Sequence, residues 1–327
     1  MTRLSSQHLE FINDFDLAWA DAVMGVKAGH MGSFEFAPAP AMPIWAKFLE
    51  DNHHKYYAPV CEPEVIAKAA PVSAAFVGNQ PVTFVSRGPG TKFKTKEACL
   101  AAHIPNIVKF IYIDENPDVL DLSMAEGKSL FPHARHQAIQ HDMFDPALRY
   151  DIEGREVSAL FGLTLANLAG HITDGAPQAD YVEKVRAIYS QMAPGAHFIV
   201  TGDTNQDSKT IEESYAGQGD FARHMLTYHG IHLPVKFVVA YHPQSYMLAH
   251  YFKFTAPAQV NTVRGSRFFH QGDAIHFNSS MKCPADVQIN WTEKAGFRSL
   301  FAPDRVLKDS FGRLAFYHFT KPVMMGR

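Results

Sequence analysis

The feature that most constrains the fold is an alternation of apolar runs with helical segments between residues 81 and 201. Each run ends at a glycine or a polar residue, and together they cover 81–86, 107–113, 137–140, 156–161 and 197–201. A helix is predicted over 96–102 with Thr95 as its N-cap. Apolar residues at helical spacing occupy 180–193, where Pro194 and Gly195 end the pattern. This order predicts a doubly wound α/β sheet with ligands at the carboxyl ends of its strands.

The flanking segments have a different character. Alternating, β-like patterns follow residue 235, at 237–241, 246–254 and 274–280, and predict a separate small β-rich region. The chain then returns to the sheet through a helix at 285–294 and strands at 297–301 and 314–319. At the other end, three prolines in 36–45 exclude a regular helix or central strand there.

Composition excludes several classes of protein. A chain of 327 residues with 46% hydrophobic residues buries a substantial core, so wholesale disorder is excluded. A net charge of −3 argues against a dedicated nucleic-acid binder. Cys61, Cys99 and Cys283 lie far apart and form no disulfide framework, which favours a reducing compartment. No signal peptide and no membrane-length apolar run are visible, so we expect a soluble, cytoplasmic protein without a membrane partner.

A glycine turn follows the first strand, at Gly88-Pro89-Gly90. Glycines there let the backbone approach a ligand, and Asp114 at the end of the next strand is placed to accept ribose hydroxyls. Such a turn alone is often an ordinary loop, but with Asp114 and Asp142 it favours a nucleoside ligand. Lys92 and Phe93 break the dinucleotide glycine pattern, and no phosphate-binding G-K-[ST] is present. Hydride and phosphoryl transfer are therefore disfavoured.

Histidine clusters raise the alternative of a metal-dependent hydrolase. The chain has 18 histidines, grouped at 133–141 and 224–232. Because no H-E-x-x-H or paired-cysteine pattern accompanies them, we expect no catalytic metal.

The order of these segments resembles the S-adenosylmethionine-dependent histidine-specific methyltransferase family, whose best-known members trimethylate the α-amine of histidine in ergothioneine biosynthesis. The likeness covers about residues 50–320. The segments that carry it are the glycine-threonine turn with Lys94-Thr95, then Asp114, His141-Asp142-Met143, 161–167 (Phe-Gly-Leu-Thr-Leu-Ala-Asn), 211–215 (Ile-Glu-Glu-Ser-Tyr) and 221–226.

The resemblance implies a Rossmann-like class I methyltransferase sheet with a second, smaller α+β substrate domain. The implied boundaries are 64–205 with 283–327 for the domain that binds S-adenosylmethionine, and 1–63 with 206–282 for the substrate domain. The implied cofactor-binding residues are Gly88, Gly90, Lys94, Asp114, Asp142 and Met143. The implied substrate-binding residues are Tyr56, Gly162, Asn167, Tyr215, Asn278 and Ser280, where Asn167 has the alternative role of a helix N-cap.

Methyl transfer from a sulfonium needs little covalent help, because the leaving group departs neutral. The protein must hold a neutral amine close to the methyl group and in line with it. Tyr56 and Tyr215 are the predicted catalytic residues, since their hydroxyls can bond and orient the amine.

Two departures from the family pattern bear on function. Ser86 stands where the family usually has an acidic residue, two positions before the first glycine. Asn278-Ser279-Ser280 stands where the family has a Glu-x-Ser pair that contacts the imidazole of histidine. Because the neutral amide of Asn278 replaces that carboxylate, a charge-assisted hydrogen bond to the imidazole is lost. We therefore expect the substrate to be an amino acid or related amine other than histidine. The same departures support the alternative of a non-catalytic protein that keeps the fold as a binding or scaffold module.

Overall fold

The computed structural model describes residues 41–51, 56–168, 177–262 and 265–323. Contacts divide the chain into two compact units. The larger unit contains 57–168, 178–205 and 282–323, and the smaller one contains 41–51, Tyr56, Pro177 and the described part of 206–281. The predicted boundary between 63 and 64 falls inside a continuous helix, so the larger unit starts at Tyr57 instead.

The helices are numbered in chain order. They are α1 (Ala41–Asp51), α2 (Ala58–Val77), α3 (Glu97–Ala101), α4 (Pro117–Leu130), α5 (Thr164–Leu168), α6 (Pro177–Gln191), α7 (Ser208–Tyr215), α8 (Gly219–Tyr228) and α9 (Ala285–Lys294). A 3₁₀ turn, Phe93–Thr95, precedes α3.

The strands are numbered in the same way. They are β1 (Val82–Arg87), β2 (Ile107–Asp114), β3 (Arg135–Gln140), β4 (Arg155–Leu160), β5 (His197–Asp203), β6 (Val235–His242), β7 (Met247–Phe254), β8 (Ala258–Thr262), β9 (Gly265–Phe269), β10 (Ala274–Met281), β11 (Arg298–Ser299), β12 (Leu307–Lys308) and β13 (Leu314–Thr320).

The larger unit is built on one eight-stranded sheet. Its order is β11-β13-β5-β4-β1-β2-β3, with β12 paired to β13. Strands β1 to β5 are parallel to one another, and β13 runs antiparallel to β5. Every residue of β1 and β5 is buried, which explains their continuous apolar runs. The predicted doubly wound α/β sheet is confirmed.

The carboxyl ends of β1, β2, β3, β4 and β5 lie along the same edge of the sheet, because these strands are parallel. The order reverses at β1, since β2 and β3 follow it on one side and β4 and β5 on the other. Ligands in doubly wound sheets bind at such a switch point. The glycine turn after β1 therefore occupies the place where the fold favours a ligand.

The buried carboxylate of Asp203 connects three segments of the larger unit. Asp203, the last residue of β5, accepts a 2.5 Å hydrogen bond from the Tyr57 hydroxyl and lies 3.4 Å from the Lys282 ammonium. Tyr57 and Lys282 each begin a segment of this unit. One carboxylate thus holds three separate segments at the end of β5.

The smaller unit contains a three-stranded antiparallel sheet in the order β10-β7-β6 and a β8-β9 hairpin. Its core includes Phe252, Phe254, Phe269, Phe277 and Leu226, which are at most 2% exposed. The predicted small β-rich region is therefore present, and helices α1, α7 and α8 belong to the same unit.

Prolines lie within the first two helices. The expectation that 36–45 contains no regular helix is wrong from Ala41 onward, because Pro43 lies in the first turn of α1, where no backbone N–H is needed. Residues 36–40 lie outside the described part of the chain. Helix α2 continues through Pro63 and Pro71, and burial of its apolar face offsets the lost hydrogen bonds.

The remaining differences are in length. The strand predicted at 297–301 is reduced to two residues, Arg298–Ser299. The helix predicted from Thr95 is divided into a 3₁₀ turn and the five-residue α3. None of the described helices is both long and apolar enough to cross a membrane.

Candidate functional site

The glycine turn after β1 has the conformation that its sequence requires. Gly88 and Gly90 have φ values of 59° and 61°, in the region that glycine adopts without strain. The Gly88 N–H donates a 2.8 Å hydrogen bond to the Ile113 carbonyl of β2. A Cβ at Gly88 would lie 2.9 Å from the Met143 methyl carbon and 3.3 Å from Thr164 Cγ2. Gly88 therefore packs directly against Met143 after β3 and Thr164 after β4, with no space for a side chain of its own.

Asp114, predicted to bind ribose, ends β2 at the next position along the sheet. One of its oxygens accepts a 2.9 Å hydrogen bond from the Asn116 N–H, and its carbonyl accepts from the His141 N–H. Burial raises the pKa of Asp114 to about 6, while the Asn116 bond acts in the opposite direction. A half-buried carboxylate at this edge is suited to accept hydroxyl donors.

Asp142 and Met143, predicted to bracket adenine, follow β3. The Asp142 carboxylate accepts a 2.8 Å hydrogen bond from the Phe144 N–H, which fixes the turn. Met143 is buried against Gly88, whereas Asp142 is exposed. The structure thus brings Gly88, Asp114 and Met143 to one edge of the sheet.

The lysine nearest the glycine turn differs from the predicted one. Lys94 is exposed, and its backbone N–H donates to Glu126. Lys96 is 7% exposed, and its ammonium lies 3.9 Å and 3.1 Å from ideal Cβ positions on Gly90 and Gly162. The structure thus adds Lys96 to the candidate site.

Two buried carboxylates also lie at this edge and were not predicted. Glu97 in α3 accepts a 3.3 Å hydrogen bond from the Ser86 hydroxyl. Glu62 in α2 accepts a 2.6 Å bond from the Gly162 N–H and a short bond from the Thr201 hydroxyl. Burial raises the pKa of Glu97 to about 7, and the nearby Lys96 charge lowers it.

Gly162 and Asn167, predicted to hold the substrate, follow β4. Gly162 has a φ of 78°. Asn167 lies inside α5, where its N–H donates to the Leu163 carbonyl, so its alternative role as an N-cap is wrong. Both belong to the larger unit, while Tyr56, Tyr215, Asn278 and Ser280 belong to the smaller one.

A buried arginine supports the turn that carries Met143. Arg87 is fully buried in β1 and donates to the Ser158 hydroxyl at 2.7 Å and the Gln191 side chain at 2.5 Å. Its guanidinium also donates to the Met143 carbonyl at 3.4 Å and to the Tyr150 hydroxyl. Such a multiply bonded guanidinium fixes the backbone beside the glycine turn.

The two predicted catalytic tyrosines lie together in the smaller unit. Tyr56 and Tyr215 are 4% and 2% exposed, and their rings meet edge to face at 5.2 Å. The Tyr215 ring also lies 5.7 Å from His250, and Trp45 lies 6.0 Å from Tyr56. These rings form an aromatic cluster, defined here as Trp45, Tyr56, Tyr215 and His250.

Asn278 and Ser280 lie on β10, opposite β7. Asn278 pairs in register with His250 of the aromatic cluster, and Ser280 pairs with Leu248. The Asn278 side-chain oxygen accepts a 2.7 Å bond from the Ser279 N–H. The strand pairing therefore places Asn278 next to a member of the cluster.

The comparisons with known proteins decide the family. The model of the family described as "Histidine-specific methyltransferase, SAM-dependent" matches residues 43–319. The chain belongs to this family. It is an enzyme that transfers methyl groups from S-adenosylmethionine. A search of curated proteins found no match to this methyltransferase.

Solved structures of methyltransferases align with the chain at low identity. A methyltransferase from Clostridium acetobutylicum is 9% identical, with 85% of this chain and 99% of that chain covered and a TM-score of 0.47. An amino pentose methyltransferase from Micromonospora echinaspora is 15% identical, with 82% and 95% covered and a TM-score of 0.42.

The larger unit of the methyltransferase fits S-adenosylmethionine. The glycine turn, Asp114 and Met143 lie at the carboxyl edge of the parallel strands, and Glu97 Oε2 has no hydrogen-bond partner among the described residues. Gly88, Gly90, Asp114 and Met143 are the predicted residues that would hold the cofactor there. When bound, S-adenosylmethionine supplies a methyl group on a positively charged sulfur, and the group leaves by displacement at carbon.

Proposed function

We propose that this methyltransferase methylates the amine of an amino acid or a related small molecule. The observation that carries the proposal is the family match over residues 43–319, because members of that family are described as acting on histidine. We also propose that it is a cytoplasmic enzyme and that it acts in secondary metabolism.

The aromatic cluster supports an amine as the methyl acceptor. The hydroxyl groups of Tyr56 and Tyr215 can accept or donate hydrogen bonds, so they can orient a neutral amine by its N–H groups. Ring faces also attract a methylated ammonium through cation–π interactions, which favours binding of the charged product. We therefore assign Tyr56 and Tyr215 to positioning the amine rather than to strong base catalysis.

Asn278 supports a substrate other than histidine. A carboxylate would accept a charge-assisted bond from an imidazole N–H, whereas the Asn278 amide is neutral and its oxygen already accepts from Ser279. We propose that the side chain of the preferred substrate is less basic than imidazole or lacks a second N–H donor.

The test is a methylation assay with purified protein, S-adenosylmethionine and a panel of amino acids and simple amines. Mass spectrometry should show a gain of one or more methyl groups on one class of amine, with stoichiometric formation of S-adenosylhomocysteine. Tyr215→Phe is the matched variant, because it keeps the ring and removes the hydroxyl. It should require more amine for half-maximal rate.

Two results would contradict this function. Turnover with oxygen or carbon acceptors and not with amines would refute amine methylation. Binding of S-adenosylhomocysteine without turnover of any acceptor would favour the scaffold alternative that Ser86 and Asn278 suggest.

A further inference from the structure

Glu97 has a buried carboxylate, and only one of its two oxygens has a hydrogen-bond donor among the described residues. Glu97 is 0% exposed and follows the glycine turn at the start of α3. Its Oε1 accepts a 3.3 Å bond from the Ser86 hydroxyl. Its Oε2 has no hydrogen-bond partner among the described residues. A buried carboxylate oxygen without a donor is costly, so it indicates a donor that arrives with a ligand.

The charges around Glu97 leave room for a cationic ligand group. Lys96 is the cation that acts on the Glu97 carboxylate. Glu62, a second buried carboxylate, acts on Glu97 with a like charge. With Glu97 ionised, two carboxylates and one ammonium give this group of side chains a net negative charge.

The order of the strands identifies the part of the cofactor that would reach Glu97. Asp114 at the end of β2 is assigned to the ribose, and Met143 after β3 to the adenine. Since the sheet order is β4-β1-β2-β3, the amino-acid end of the cofactor extends past β1 toward β4. Ser86 of β1 and Gly162 after β4 lie on that side, and they contact Glu97 and Glu62 respectively.

We propose that Glu97 binds the α-ammonium group of S-adenosylmethionine and supplies the carboxylate that Ser86 lacks. The α-ammonium has three N–H donors and a positive charge, so it satisfies Oε2 and offsets the net negative charge. The sulfonium has no N–H and cannot do so. This assignment concerns the cofactor and is independent of which acceptor is methylated.

The test compares two ligands that differ only in the amine. Calorimetry measures binding of S-adenosylhomocysteine and of its deaminated analogue, which keeps the carboxylate, thioether and nucleoside. Glu97→Gln should lower the affinity for S-adenosylhomocysteine about tenfold or more, because a charge-assisted hydrogen bond is lost. The same variant should leave binding of the deaminated analogue unchanged within about twofold.

Glu183→Gln is the matched control, because it makes the same chemical change at an exposed position of α6. It should leave the affinity of both ligands unchanged. An equal loss of affinity for both ligands in Glu97→Gln would overturn the proposal, since it would show that Glu97 shapes the turn. Unchanged binding of both ligands would overturn it as well.

A second readout uses the wild-type protein, so it does not depend on folding of a variant. An arriving ammonium favours the ionised form of Glu97. S-adenosylhomocysteine should therefore release more protons than the deaminated analogue at pH 6.5, measured in buffers of different ionisation enthalpy. The electrostatic effects between Glu97 and its neighbours Lys96, Glu62 and Tyr112 are present with both ligands. Their contributions to proton release therefore cancel when the two ligands are compared. Equal proton release would contradict the proposal.

Discussion

The cost of burying the Glu97 carboxylate predicts how the stability of the ligand-free protein depends on pH. Burial raises the pKa of Glu97 from 4.5 to about 7. The folded protein therefore retains a proton that the unfolded chain releases between these pH values, so stability falls as pH rises from about 4.5 to 7. At 1.36 kcal/mol for each pKa unit, the shift from 4.5 to about 7 corresponds to about 3 kcal/mol.

Glu97→Gln removes this titration while it keeps the size of the side chain. Thermal unfolding without ligand should show that the wild type loses stability relative to the variant between pH 4.5 and 8. A difference of about 3 kcal/mol corresponds to roughly 6–12 °C in Tm for a domain of this size. Glu183→Gln should follow the wild type at every pH. Parallel plots of Tm against pH for the wild type and Glu97→Gln would refute the reasoning. They would show that ionisation of the buried carboxylate does not lower the free energy of unfolding.

Three further predictions concern the turn, the ribose site and the buried arginine. Asp114→Ala should weaken S-adenosylhomocysteine binding by calorimetry more than Tyr215→Phe does, and equal affinity in Asp114→Ala and wild type would contradict the ribose assignment. Gly88→Ala should weaken that binding because its Cβ would meet Met143, whereas Gly78→Ala, with φ of 77° and nothing within 4 Å, should affect stability alone. If both glycine variants bind alike, the turn does not contact the cofactor. Arg87→Met should lower the free energy of unfolding in urea by about 3 kcal/mol or more, since several buried acceptors lose their donor at about 1–3 kcal/mol each. A loss below about 1 kcal/mol would show that the Arg87 network contributes little.

Much of the larger unit was predictable, because β1, β4 and β5 are buried on both faces and most of the parallel strands are followed by a glycine or end at an acidic residue. Helix α9 has the predicted bounds, Ala285–Lys294. Helix α2 was missed because Pro63 and Pro71 interrupt its pattern, and tertiary burial overrides that local signal. The two-residue β11 was overpredicted because an apolar run does not reveal how many residues find a partner strand.

The candidate site was predictable in part. Gly88, Asp114 and Met143 follow strands, and a parallel sheet brings the ends of its strands to one edge. Lys96, Glu97 and Glu62 were missed, because a charged residue in a short or proline-containing helix predicts exposure. One signal was available for Glu97: its spacing from Leu100 and Ala101 places it on the buried face of α3.

The measurement that tests the central claim most directly is a two-step binding experiment. Calorimetry first measures S-adenosylhomocysteine, and a panel of amino acids and amines is then titrated into the complex. The account predicts that the nucleoside binds and raises Tm by mass action, and that one class of amine then binds more tightly to the complex than to the free protein. Binding of the nucleoside with no amine bound in its presence would contradict amine methylation. Failure of the nucleoside to bind at all would contradict the assignment of the glycine turn.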